Sequence, residues 1–253
     1  MTEDAGVCRR IATELHAAWA IAKKDSLIYY LKPNIIVSGM LFPLFMFLAF
    51  AVGRPAEPEV MIPGLIAITI LFSASSIEPV SIPIERRMKT FDRLLSAPIS
   101  LNTVVFGESL SGFLYALGIA FVPLLAGLVL FGTPITNPLF LIPGLLLIAF
   151  CFATMGTLFA AYPTESPGDI MSMLNLVRLP LIFISGIFIP LSQIPEAARF
   201  ITYLSPLTYG NDLIRAAYTG TTQFNPLADI AMICLFILLF QYAADRLYKK
   251  FNE

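Results

Sequence analysis

The chain has 253 residues, 57% of them hydrophobic and only 13% charged, with a formal net charge of −1. A soluble domain carries about 25% charged residues, so this composition excludes a protein solvated mainly by water. Once Lys and Arg are assigned to membrane flanks, no basic face is left to bind nucleic acid.

Residues 1–33 read as an amphipathic helix lying in the membrane interface. On a helical wheel Val7, Ile11, Leu15, Ala18, Trp19 and Ala22 share one arc; Arg9, Arg10, Thr13, His16, Lys23 and Lys24 lie opposite. Trp on the apolar side and Lys/Arg on the other is the pattern of an interfacial helix. His16 belongs to the polar face and has no neighbouring metal ligand. The segment does not read as a cleavable signal peptide: the first long apolar stretch begins near Asn34, with no small-residue cleavage site after it.

Six stretches are then long and apolar enough to cross a bilayer, which takes about 20 residues. They are 35–52, 60–82, 103–131, 139–161, 170–189 and 228–243. The expectation is a single all-α polytopic domain over 1–253, with a six-span bundle over 35–243 and a cytoplasmic tail over 244–253. The third span is long enough to tilt or kink at Pro123. With the N-terminus in the cytoplasm, twelve Lys and Arg fall inside; only Arg54, Arg199 and Arg215 fall outside. That bias places both termini in the cytoplasm. Rows of small residues, Gly112/Ala116/Ala120 and Ala149/Ala153/Thr157/Ala161, let helices approach closely inside the bundle.

Between spans two and three lies a charged block, with four cations and two anions from Glu85 to Arg93. Met88, Phe91 and Leu95 fall at i, i+3 and i+7, the spacing of one helical face. Pro98 ends the segment, because the residue before a proline is pushed out of helical geometry. A helix over 85–95, too short to span, suits docking on a cytoplasmic partner. Phe91 and Leu94 are the expected apolar anchors, with Arg86 and Arg93 at the rim.

Three charges lie inside apolar stretches: Glu78, Glu108 and Arg178. By the rise of an α-helix each sits about 8–12 Å inside the cytoplasmic boundary. They form either an inner charged layer, with Arg178 paired to Glu108 or Glu78, or side chains that snorkel to the headgroups. Between spans five and six, 191–225 is too apolar for a free loop. Pro195 and Pro206 divide it into pieces, 196–204 and 207–218, too short to cross. An outer re-entrant or interfacial hairpin fits, provided protein covers its ends. Arg215 there has Asp212 as its nearest anion.

No catalytic set stands out. The P-loop, H-E-x-x-H, C-x-x-C and G-x-S-x-G patterns are all missing. Paired membrane acids are missing too, which counts against a proton-driven carrier. Cys8, Cys151 and Cys234 have the spacing of neither a metal site nor a disulfide framework.

Two motifs carry a resemblance that covers nearly the whole chain. One is Glu85-Arg86, Thr90-Phe91, Arg93-Leu94 and Pro98-Ile99-Ser100. The other is Ser185-Gly186, Pro190, Ile194-Pro195, Ser205-Pro206-Leu207-Thr208-Tyr209, Asp212 and Arg215. The chain resembles the membrane subunits of type-2 ATP-binding-cassette (ABC) exporters, although Lys89 stands where that family usually has Gly. The resemblance implies a permease subunit in the cell membrane, working as two copies beside two separate ABC ATPase subunits that bind ATP and Mg. This chain would itself hold no cofactor or metal and catalyse nothing. It makes Glu85, Arg86, Met88, Phe91, Arg93 and Leu94 the coupling segment. Gly186, Pro190, Pro195, Pro206, Tyr209, Asp212 and Arg215 become parts of an outer gate. The expected substrate is an amphiphilic drug- or lipid-like molecule. The alternatives are a polysaccharide or lipo-oligosaccharide permease, and a secondary carrier acting without an ATPase.

Overall fold

The computed structural model describes residues 2–30, 58–188 and 195–252, with isolated helical positions between 41 and 48. Every regular element among them is helical. Helix α1 is Thr2–Asp25, running into a π turn at Ser26–Tyr30. It is followed by α2 (Pro58–Ala74), α3 (Glu78–Arg87), α4 (Thr90–Leu95), α5 (Leu101–Leu130), α6 (Pro138–Ala160) and α7 (Pro167–Ile184). Two short helices, α8 (Glu196–Thr202) and α9 (Pro206–Thr219), precede the last, α10 (Pro226–Asn252). Among the described residues five stretches are long and apolar enough to cross a membrane: Pro58–Arg87, Leu101–Leu130, Pro138–Ala160, Pro167–Ile184 and Pro226–Phe251. The expected span over 35–52 lies almost wholly outside the described residues, as does Pro190.

Local chemistry sets the helix ends. Ser100 caps α5 by accepting the Thr103 N–H at 3.1 Å, and Asn137 caps α6 through the Leu139 N–H at 3.2 Å. Pro138, Pro167, Pro206 and Pro226 open their helices, where a missing N–H costs nothing. Helix α7 stops at Ile184, short of the expected 189, because Gly186 turns left-handed at φ 81°. Helix α5 passes Pro123 without interruption. The final helix also runs further than expected. Residues 244–252 continue α10 instead of forming a tail, with Ala244 and Tyr248 buried.

The second span is broken at Ser75–Ile77. The Ser75 hydroxyl donates to the Leu71 carbonyl and the Ser76 hydroxyl to the Phe72 carbonyl at 2.5 Å, competing with the helix ladder. Pro79 then has no N–H to continue it. Helices α5 and α6 both lean on this break through glycines. A Cβ on Gly112 would lie 2.7 Å from the Ala74 carbonyl oxygen, and one on Gly156 3.1 Å from that of Ser75. The small-residue rows lie at these contacts: Ala116, Ala120, Ala149, Ala153 and Thr157 are buried, and the Ser109 and Thr157 hydroxyls meet at 2.8 Å. Large apolar side chains face outward instead, among them Val129, Leu176 and Leu238. Lipid is the natural solvent for that surface.

Helices α8 and α9 form the expected pair of short pieces, and α9 goes deep. Leu207, Leu213, Ile214, Ala216 and Ala217 have no exposed surface. Gly144 of α6 admits Ile214, and Gly210 sits directly on Ile148. The C-terminal carbonyls of α9 do not go unmet: the Thr136 and Asn137 N–H groups both donate to the Ala217 oxygen at 2.9 Å. The Thr136 hydroxyl adds bonds to the Ala217 and Tyr218 oxygens at 2.9 and 3.1 Å. A short helix therefore enters the bundle with its exposed backbone end satisfied by protein.

Candidate functional site

At one end of the bundle, the block expected to form one helix over 85–95 is two. It breaks at Lys89, whose φ of 56° is left-handed. An L-residue pays about 1–2 kcal/mol in that conformation and Gly does not. This explains why the resembled family carries Gly there. The break separates Met88 from Phe91, so the inferred common face does not exist. Met88 is 54% exposed and Phe91 is 1% exposed. Phe91 is therefore not free to anchor a separate protein. Its ring packs on Tyr248 of α10 at 6.0 Å, with Val104, Val105 and Ile82 in the same cluster.

The neighbours of Phe91 divide in the same way. Glu85 is buried and accepts from Lys24 of α1 at 2.6 Å. Arg86 bonds the Tyr162 and Ala161 carbonyls beyond α6, and its guanidinium stacks over the Phe91 ring at 5.5 Å. These three residues tie α3 and α4 to the rest of the chain. Arg87, Met88, Lys89, Asp92 and Arg93 are exposed, and Leu94 is half-buried. A groove of about 310 Å³ lies beside them, lined by Arg86, Lys89, Phe91, Asp92, Pro163, Thr164, Glu165 and Phe251. The surface available to a partner is thus a cationic elbow around one exposed Met.

Lys24 is the hub behind that elbow. Its ammonium lies 2.6 Å from Glu85, 3.0 Å from Asp25 and 3.9 Å from Glu108. One cation from α1 thus holds carboxylates from α1, α3 and α5. Burial alone would lower the Lys24 pKa, but the Glu108, Asp25 and Glu85 carboxylates outweigh it and raise it. Burial pushes the Asp25 carboxyl up to about 6 despite Lys24. Helix α1 is also held by Glu14, which accepts from the Ser100 N–H at 3.3 Å and from the Thr103 hydroxyl. Gly107 permits the close crossing, since a Cβ there would lie 3.0 Å from the Ala18 oxygen. The wheel reading put Lys24 on the solvated face and passed over Asp25. The signal was available: Asp25 follows Ala18 and Ala22 at i+7 and i+3, which places a carboxyl on the buried stripe.

The raised Asp25 carboxyl has a signed consequence. Its contribution to stability is complete below the ordinary value of 3.8 and is lost as pH rises through about 6. Asp25→Asn should therefore flatten the pH dependence of thermal unfolding across that interval. A mutant profile with the wild-type slope would show that Asp25 is not the titrating group.

Glu78, Glu108 and Arg178 are all buried. Arg178 does not pair with either glutamate: among the described residues no carboxylate lies within ion-pairing distance of it. The helix break supplies its partners. Its guanidinium donates to the Ser75 and Ser76 hydroxyls at 3.0 Å each and to the Asn175 side-chain oxygen at 3.4 Å, and stacks on Phe72 at 5.3 Å. The Glu78 carboxylate points elsewhere, between Gly112 and Gly156. A Cβ on either glycine would lie 2.3 or 2.6 Å from one of its oxygens. Glu108 turns to Lys24.

At the hairpin, Pro195 precedes α8, Pro206 opens α9, and the Tyr209 hydroxyl donates to the Tyr203 carbonyl at 2.9 Å. Asp212 accepts from the Gln223 and Phe224 N–H groups at 2.8 and 3.0 Å and lies 3.8 Å from Arg215.

A multi-pass helical bundle with a charged elbow between two spans and a short helix buried between two others defines a membrane transport permease. The chain belongs to the ABC-2 type transporter family, whose profile matches residues 16–219. It is similar to Nodulation protein J of Rhizobium leguminosarum bv. viciae, 26% identical over 88% of this chain and 86% of that protein. It is similar to Nodulation protein J of Neorhizobium galegae, at 27% over 74% and 72%. Inner membrane transport permease YadH of Escherichia coli K12 is 23% identical over 72% of this chain and 71% of its own length.

Proposed function

We propose that this permease works as two copies beside two ABC ATPase subunits, exports an amphiphilic drug- or lipid-like molecule across the cell membrane, and has both termini in the cytoplasm. The observation that carries the reading is the elbow. Glu85, Arg86 and Phe91 are bound within the chain, so Arg87, Met88, Lys89 and Arg93 are presented on a rigid base. A partner groove that takes Met88 and pairs with the cations would couple nucleotide-driven movement to α2/α3 and, through Lys24, to α1. ATP and Mg belong to the partner. The hairpin of α8 and α9, together with Gly186, forms the outer gate.

The test is site-specific cross-linking in membranes that contain the co-purifying ATPase. Cys in place of Met88 or Arg93 should cross-link to the ATPase. Met88→Asp should abolish ATP-dependent transport while the chain still inserts, because an unpaired charge at a docked interface is costly. Wild-type transport by Met88→Asp would overturn the docking face. Wild-type transport without nucleotide would instead favour a secondary carrier.

A further inference from the structure

We propose that Arg178 and Asn175 of α7, set against the Ser75–Ser76 turn, form a receptor for the anionic head group of an amphiphile, a phosphate, sulfate or carboxylate. Two cations reach into the bundle, and the chain meets them differently. Lys24 has three carboxylates around it, at 2.6, 3.0 and 3.9 Å. Arg178 has no exposed surface, yet among the described residues no carboxylate lies within ion-pairing distance of it. An acid is close by in the fold. Glu78 is wholly buried at the start of α3, which packs on α7, but its carboxylate is turned into the crevice between Gly112 and Gly156.

Neutral groups hold the guanidinium instead. Nε donates to the Ser75 hydroxyl and Nη2 to the Ser76 hydroxyl at 3.0 Å each, and Nη1 reaches the Asn175 oxygen at 3.4 Å. Both hydroxyls donate onward, to the Leu71 and Phe72 carbonyls, so each presents a lone pair to the arginine. Phe72 covers one face of the guanidinium at 5.3 Å. These contacts fix the plane of the group and leave its charge unneutralised. They engage one N–H on each nitrogen, so a further N–H on both Nη1 and Nη2 is available to a ligand oxygen. A planar guanidinium is the side chain best matched to oxyanions, which accept from it in paired bonds. A cation at membrane depth is costly to keep, and an anion that enters beside it offsets that cost.

The receptor opens through its two smaller members. Ser76 is half-buried and Asn175 exposed, and the Asn175 amide nitrogen adds a donor beside the guanidinium. Leu179 and Phe183 follow Asn175 at i+4 and i+8, each 40% exposed, with Leu176 next to Asn175 at 77%. That spacing continues one face of the helix. A cationic receptor at the head of an apolar strip is complementary to a molecule with an anionic head and a hydrocarbon tail. The site deepens the proposed function, and rests on it only for the claim that the bound amphiphile is the one exported.

The test is equilibrium binding of radiolabelled dodecyl phosphate to the purified full chain in excess dodecyl maltoside, with protein-free micelles as the blank. Saturable binding is expected, displaced by dodecyl sulfate but not by dodecyltrimethylammonium or inorganic phosphate at equal concentration. Arg178→Gln should weaken it by about tenfold or more, because bonds to an ionised donor are lost with the charge. Arg178→Lys keeps the charge without the planar group and should fall between the two. Asn175→Leu, at an exposed position, should also weaken binding in a chain that still unfolds cooperatively, and so tests the site even where the Arg178 variants do not fold. Non-saturable uptake, or equal displacement by the cationic amphiphile, overturns the receptor. Wild-type affinity in folded Arg178→Gln or in Asn175→Leu overturns it as well. Equal displacement by inorganic phosphate overturns the amphiphile assignment in favour of a free anion. If binding depends on Arg178 but the complex reconstituted with its ATPase moves no dodecyl phosphate, the head-group site stands and its place in the export reading fails.

Discussion

Lys24→Met should destabilise the chain by about 3–5 kcal/mol, the cost of removing one partner from a buried ionic group. Lys24 is the one cation within ion-pairing distance of Asp25, Glu85 and Glu108 among the described residues. Asp25 and Glu108 are essentially unexposed and Glu85 is 3% exposed. Without the ammonium three carboxyl groups are stranded together, and α1 loses its tie to α3 and α5. Thermal unfolding of the purified chain measures the loss. Adding Glu85→Gln to Lys24→Met should recover a large part of it, because the carboxylate that lay nearest the missing ammonium is then replaced by a neutral amide. Simple additivity in that double-mutant cycle would mean that Lys24 and Glu85 are not coupled, despite the 2.6 Å between them.

Phe91→Asp is the second large effect, and its readout differs from that of a docking mutation. Truncating a buried Phe costs about 3–5 kcal/mol before any charge is introduced. Here an unpaired carboxylate would enter a cluster formed by Ile82, Val104, Val105 and Tyr248. The drop in unfolding temperature should therefore appear in the chain purified without any ATPase. Met88→Asp, at a position 54% exposed, should leave that temperature within the scatter expected of surface changes. If Phe91→Asp unfolds like the wild type and affects only ATPase binding, Phe91 is an interface residue and the inward assignment is wrong.

What the sequence determined by itself is local. Pro138, Pro167, Pro206 and Pro226 mark helix starts because proline fixes a compatible φ and lacks only an N–H that the first turn does not use. Long apolar runs between charged flanks mark membrane spans because lipid offers backbone groups no partner outside a helix. Pro195 and Pro206 divide the segment before the last span into pieces of a legible length. The two family motifs lie on the elbow and the hairpin.

Only the tertiary structure decided which way the polar groups point. A helical wheel cannot place Phe91 inside, because the left-handed turn at Lys89 resets the phase between Met88 and Phe91. Estimated depth brought Arg178 level with Glu108, but depth says nothing of azimuth. The break at Ser75–Ile77 offered Arg178 two hydroxyls, while the Gly112–Gly156 crevice took the Glu78 carboxylate. Tyr248 acquired its place against Phe91, and Asp25 its burial beside Glu85 and Glu108, from helices far away in sequence. Ion pairs and buried contacts are set by three-dimensional distance, and sequence periodicity fixes only the direction of a side chain relative to its own helix.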